Sequence, residues 1–205
     1  KTMRGTLEST KEKDGLDRKL DPDRTYISPE GKEFTLRGRA LALARNVSLH
    51  MDTEAVKTAS GEPIPQAFLE DAFTAYSALH DINRDSNYVN SENGHIYIVV
   101  PKLHNPEEVA AKIAVYRDLE KELRLREGTI LIGLMDEEAN ISATLKESIR
   151  AAKDRVFFIN TGFLDRSASQ IRTFFYYGAV VTTEQMRNHV WRREYELGNV
   201  RVGLE

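Results

Sequence analysis

The side chains in this chain best placed for chemistry are a few acids and one arginine, each just after an apolar run. The acidic triplet Asp136-Glu137-Glu138 follows the run at 129–135, and Asp165 follows the run at 155–160 across the turn Thr161-Gly162-Phe163-Leu164. Arg45-Asn46 closes an earlier run at 39–45, and Pro101-Lys102-Leu103-His104 closes another that begins at Gly94. If these runs are neighbouring parallel strands, about 4.8 Å apart, a carboxylate of the triplet and Asp165 converge on one rim. Two carboxylates with no Cys or His beside them suit a hard, oxygen-seeking cation, Mg2+ first among them. Such a cation keeps positions open for water and an anionic, oxygen-rich substrate. Arg45 on the same rim offers a fixed positive fork for a carboxylate or an enolate oxygen. Gly162 suits a tight turn and bares backbone N–H groups to an anion.

Each of these residues also has a plainer reading. The triplet reads equally well as a solvated acidic cap on the next helix, and Asp165 as the N-cap of a helix beginning at Arg166. Arg45 alone reads as a surface salt-bridge partner, and His80 and His104 as structural or solvated histidines.

The rim exists only if strands and helices alternate, and the patterning does so. Residues 94–101, 129–135 and 155–160 are continuous apolar, β-branched runs, as in strands covered on both faces; residues 39–45 form a shorter one. Over 65–82, Phe68, Leu69, Ala72, Phe73, Tyr76 and Leu79 recur at helical spacing. Asn105 is placed to cap the next helix, with Pro106 in its first turn and Glu107 and Glu108 at the positive end of its dipole. Val109, Ile113, Tyr116, Leu119 and Leu123 form its stripe and Gly128 its stop. Residues 140–153 and about 184–197 read as further helices. The alternation implies parallel strands with right-handed crossovers and outer helices. Working groups then sit at the carboxyl ends of the strands. It does not separate a barrel from a doubly wound sheet. No GxGxxG or GxxxxGK[ST] follows a strand, which removes the two commonest nucleotide-binding readings. Ahead of this region, residues 1–38 are polar and dense in both charges, with a β-hairpin expected over 24–36 around Pro29 and Gly31. The expected organisation is a flanking segment at 1–38 and a catalytic region at 39–205. Residues 199–205 read as the start of another strand, as in a piece of a longer protein.

Composition bounds the partners. With 205 residues, 40% hydrophobic and 30% charged, the chain can bury a core and is not disordered. A net charge of -3 and a pI near 6.0 argue against a nucleic-acid partner. No apolar run approaches the roughly eighteen residues of a membrane span. The absence of cysteine removes disulfides, thiolate catalysis and cysteine–zinc sites. It fits a reducing compartment, and a cytoplasmic location is expected.

Two longer stretches are recognisable. Gly133-Leu134-Met135-Asp136-Glu137-Glu138, followed by Phe158-Ile159-Asn160-Thr161-Gly162-Phe163-Leu164-Asp165-Arg166, resembles the signature of the malate synthases in their large G form. Gly38-Arg39-Ala40-Leu41 with Arg45-Asn46-Val47 agrees with that family, as do Ile96-Tyr97-Ile98-Val99, Pro101-Lys102-Leu103-His104 and Pro106-Glu107-Glu108-Val109. Met3-Arg4-Gly5, Arg18-Lys19-Leu20 and Pro22-Asp23-Arg24 follow in the same order. The resemblance implies a partial (β/α)8 TIM barrel, α/β in class, from an enzyme of the glyoxylate cycle. That enzyme condenses acetyl-CoA with glyoxylate and water and releases malate and CoA. By the resemblance, Glu137 and Asp165 are Mg2+ ligands and Arg45 is the catalytic arginine that contacts substrate. The backbone of Gly162, Phe163 and Leu164 holds the glyoxylate carboxylate, and Arg18 contacts acetyl-CoA. The chain departs from the pattern at Ser48-Leu49, where the family has Gly-His, and at Ala139-Asn140-Ile141, where it has Arg-Arg-Thr. These positions surround the matched ligands without replacing them.

A whole barrel of this type takes about 250 residues, and the family's catalytic base is an aspartate further along. The chain alone is therefore expected to be inactive, and the full-length protein monomeric. Two alternatives remain open: a lyase of the malyl-CoA or citramalyl-CoA type, and a non-catalytic truncated paralogue acting as a binding module.

Overall fold

The computed structural model describes residues 21–82 and 90–205. The expected hairpin is present: β1 (Arg24–Ile27) pairs antiparallel with β2 (Glu33–Leu36), Arg24 opposite Leu36. Its turn closes where the Gly31 N–H donates to Ser28 O at 2.9 Å, with Gly31 in the left-handed region at φ 77°.

The run at 39–45 yields a strand only at its end, β3 (Ala44–Arg45). Just before it, the Asn90 side chain stands in for a neighbouring strand. Its Oδ1 accepts from the Ala42 N–H at 2.6 Å and its Nδ2 donates to Ala42 O at 2.8 Å, so this backbone is satisfied without a ladder. A second hairpin, β4 (Asp52–Lys57) with β5 (Pro63–Pro65), is largely exposed and polar. It carries no apolar alternation that would announce it.

α1 (Gln66–Ile82) forms where its spacing predicts, but on a different face. Ala67, Asp71, Ala75 and Ala78 are buried, while Phe73 and Tyr76 point outward and are exposed. Small residues let the helix lie close to the sheet, which the larger apolar side chains would prevent. Then come β6 (Ile96–Val100), α2 (Pro106–Glu122) and β7 (Ile130–Asp136). The α2 cap is as expected, with Asn105 Oδ1 accepting from the Glu108 N–H at 2.8 Å. The helix expected at 140–153 is two pieces, α3 (Ala139–Ala143) and α4 (Leu145–Ala151), broken at Thr144. β8 (Val156–Thr161), α5 (Phe163–Phe175), α6 (Thr183–Met186) and α7 (Val190–Leu204) complete the chain.

Residues 199–205 are therefore not a strand beginning but the end of α7. Val200 and Val202 favour a strand locally, yet tertiary contacts decide. Tyr195 and Asn199, one turn apart, are buried, and Asn199 Nδ2 donates to Asp136 Oδ2 at 2.9 Å. At Gly203, an added Cβ would lie 2.7 Å from Ile159 Cδ1, so the helix seats directly on β8.

The main sheet is parallel, in the order β3-β6-β7-β8. Strand order follows chain order with no reversal. A doubly wound sheet reverses at a switch point, whereas a (β/α)8 barrel does not. Among the described residues the sheet is open and four-stranded. Ile96, Ile98 and Val100 of β6 and Ile130, Ile132 and Leu134 of β7 form the core with Ala75, Ala78, Val109, Ile113 and Tyr116 from the helices. β8, at the sheet's edge, is only half-buried rather than covered on both faces. Phe157 meets Tyr97 and Phe158 edge-on, with ring centroids 5.1 and 4.6 Å apart. Gly133 leaves room for them, since a Cβ there would stand 2.9 Å from the Phe158 ring. No described helix is long and apolar enough to cross a membrane.

Candidate active site

The parallel ladders bring the carboxyl ends of all four strands to one side of the sheet, in a stepped register. Arg45 is opposite Val99, Val100 opposite Leu134, and Asp136 opposite Thr161. One rim therefore gathers Arg45 from β3, Lys102 after β6, Glu137 after β7 and Asp165 in the first turn of α5.

Glu137 is the centre of this group and is almost fully buried. Its Oε1 accepts from the Lys102 main-chain N–H at 2.9 Å, and its Oε2 lies 3.8 Å from Arg45 Nη2. Lys102 Nζ is 2.9 Å from Asp165 Oδ1. Burial pushes the Glu137 carboxyl above its ordinary range and the charge of Asp165 adds to this, against the Lys102 N–H and the charges of Lys102 and Arg45. Asp165 is held below its ordinary range, chiefly by the hydrogen bond from Lys102. The opposite shifts follow from the two settings, one acid buried and the other half-exposed against an ammonium.

The triplet therefore divides its labour. Asp136 and Glu137 are buried, so a solvated acidic cap is not what the fold makes of them. Glu138 takes the N-cap position of α3 without a side-chain cap bond. Asp136 faces away from Arg45 and Lys102 into its own network: Ser142 Oγ donates to it at 2.5 Å, Asn199 Nδ2 at 2.9 Å, and the Tyr195 hydroxyl bonds its carbonyl oxygen. Arg166, buried against the Trp191 and Tyr195 rings, donates to Ser142 Oγ at 2.9 Å. Residues from α3, α5 and α7 thus fix the peptide that carries Glu137.

Asp165 is in the first turn of α5 and not its N-cap; Gly162 caps the helix. The Gly162 N–H donates to Asp136 O at 3.2 Å. The first-turn amides of Phe163, Leu164 and Asp165 have no intrahelical carbonyl to bond and lie at the positive end of the helix dipole. The Phe163 ring lies under the Arg192 guanidinium, 4.7 Å away, and Leu164 is exposed. His104 bonds Glu108 within the α2 cap, Nδ1 to Oε2 at 3.4 Å, a structural role. Arg18 lies outside the described residues.

A hard cation fits this donor set. Both acids offer oxygen only, and the Lys102 ammonium already stands on Asp165 as a cation would. Among the described residues no third His, Cys, Asp or Glu joins them in a group. Gly162 supplies the space: a Cβ there would come within 2.6 Å of Glu137 Cβ, an atom too close to the backbone to swing aside. Gly162→Ala is therefore expected to shift Glu137 and, where Glu137 serves as a metal ligand, to weaken Mg2+ binding at least about tenfold while leaving the circular dichroism unchanged. An unchanged affinity by titration calorimetry would contradict this.

Patterning gave no sign of one supporting network. Asn46, next to Arg45, donates through Nδ2 to Asp71 Oδ1 at 2.8 Å, and Asp71 is ion-paired with Lys112 inside the protein. The Val47 N–H donates to Glu70 Oε2 at 2.7 Å. Together these fix the backbone on which Arg45 stands.

Known sequences agree with this architecture. The malate synthase TIM barrel domain matches residues 41–204. The chain is 42% identical over 204 residues to the malate synthase G of Halalkalibacterium halodurans, which covers 98% of this chain and 28% of that protein. It is 39% identical over 188 residues to the malate synthase G of Corynebacterium efficiens, covering 92% of this chain and 25% of that protein. For the malate synthase G of Corynebacterium glutamicum the identity is 38% over 203 residues, with 98% and 27% covered. The chain thus spans about a quarter of the length of the curated relatives it matches. Strand order, rim and sequence lead to one assignment: the chain belongs to the malate synthase family and carries residues of its TIM barrel domain.

Proposed function

We propose that these residues form the metal-binding part of a malate synthase active site, in a protein that condenses acetyl-CoA with glyoxylate and water to give malate and CoA. The observation that carries the reading is the meeting of Glu137, Asp165 and Arg45 at the carboxyl ends of parallel strands, in a chain whose relatives are named malate synthase G.

Glu137 and Asp165 would hold the Mg2+ ion. Such an ion would supply Lewis acidity toward a bound glyoxylate. The amides at the start of α5 face the glyoxylate carboxylate, and the helix dipole favours its charge. Arg45 sets a permanent positive charge beside the carboxylates, where the enolate oxygen of acetyl-CoA develops its charge. On the family's pattern the base that takes the methyl proton is an aspartate outside these 205 residues, so they are expected to bind metal without turning over alone.

The test is an assay of the intact protein for glyoxylate-dependent release of CoA from acetyl-CoA. Release that requires both glyoxylate and Mg2+ supports the proposal. Cleavage of malyl-CoA without net synthesis would make it a lyase, and binding without either reaction a non-catalytic paralogue.

A further inference from the structure

Lys102 touches both candidate metal ligands through chemically separate groups. Its main-chain N–H donates to Glu137 Oε1 at 2.9 Å, and its ammonium lies 2.9 Å from Asp165 Oδ1. The backbone is turned for the first contact: Lys102 has φ 54°, in the left-handed region that L side chains rarely adopt. Such a conformation persists where the surroundings over-determine it, and it clusters at functional sites. Here Pro101 and Leu103, both buried, clamp the residue on either side. The amide contact therefore belongs to the backbone and does not depend on the side chain.

The ammonium contact is different. The Lys102 and Asp165 side chains are 34% and 40% exposed, so water screens the pair and it can be displaced. Asp165 Oδ1 cannot give its full charge to an ammonium and to a divalent ion at once, and two cations on one carboxylate repel each other.

We propose that Lys102 is a positioning residue with two functions: its main-chain N–H aims Glu137, and its ammonium competes with the divalent cation for Asp165, setting how tightly that cation is held. This rests on the assignment of Glu137 and Asp165 as metal ligands. It makes the metal exchangeable, because departure of the ion leaves Asp165 a counter-ion at hand and no unpaired charge.

The test is calorimetric titration of Mg2+ into the intact protein and its Lys102→Met and Lys102→Arg variants, with no substrate present. Lys102→Met keeps the main-chain contact and removes the charge. It is expected to bind Mg2+ about five- to tenfold more tightly and to show a larger rise in melting temperature on adding Mg2+. Lys102→Arg, which keeps the charge, is expected within about twofold of wild type. Should Lys102→Met fold poorly, a Lys102→Gln variant measured alongside carries the same expectation. Equal or weaker affinity in the uncharged variants, with Mg2+ binding intact in wild type, overturns the role of Lys102 and leaves the ligand assignment standing. No Mg2+ binding in any of the proteins overturns both.

Discussion

Glu137→Gln in the intact protein is expected to lower glyoxylate-dependent CoA release about a thousandfold or more, since a lost Lewis acid costs several kcal/mol of transition-state stabilisation. Fold stability is expected to be kept or slightly raised. Glutamine fills the same volume, and its amide oxygen can still accept from the Lys102 N–H. The sign follows from the shift at this residue. Burial raises the Glu137 carboxyl above its ordinary range, so the stability it contributes is present at low pH and lost as pH rises through that raised value. At neutral pH the charge costs stability, and the neutral amide removes the cost. A variant that is inactive and melts at or above the wild-type temperature fits this account; near-normal turnover removes Glu137 from the ligand set.

The second large effect is on stability. Asp71 and Lys112 pair in the interior with neither side chain exposed, and Asp71 also holds Asn46 beside Arg45. Lys112→Met keeps the volume but strands a buried carboxylate, which is expected to cost about 3–5 kcal/mol. Burial already raises the Asp71 carboxyl, and Lys112 is the main influence opposing that rise. Without Lys112 the rise grows. The penalty is then small at low pH, where Asp71 takes up a proton, and grows as pH rises through its elevated value. Urea unfolding at roughly pH 5 and pH 8 should show most of the loss at the higher value; an equal loss at both would mean that Asp71 is not the stranded charge.

Much of the frame was legible in the sequence. β6 and β7 are unbroken apolar runs, and α2 is written out by Asn105, Pro106 and its stripe, because each depends on residues close in the chain. Acids at strand ends were enough to mark the rim. What stayed hidden depended on partners far away in sequence. Residues 199–204 carry strand-like valines yet are helical, because Asn199 reaches Asp136 across 63 positions. The core face of α1 is alanine and aspartate rather than phenylalanine and tyrosine, because the sheet needs close approach and Lys112 awaits Asp71. Lys102 stood in a recognised strand-end motif with nothing to mark it, since its importance lies in a backbone angle and two contacts, one 35 positions away and one on Asp165.

Whether Glu137 and Asp165 share one ion is read most directly by Mn2+ titration followed by electron paramagnetic resonance. For the intact protein, one ion bound per chain is expected, with binding lost in Glu137→Gln and lost separately in Asp165→Asn. Full Mn2+ binding in both single variants would place the ion elsewhere and contradict the site described for this chain.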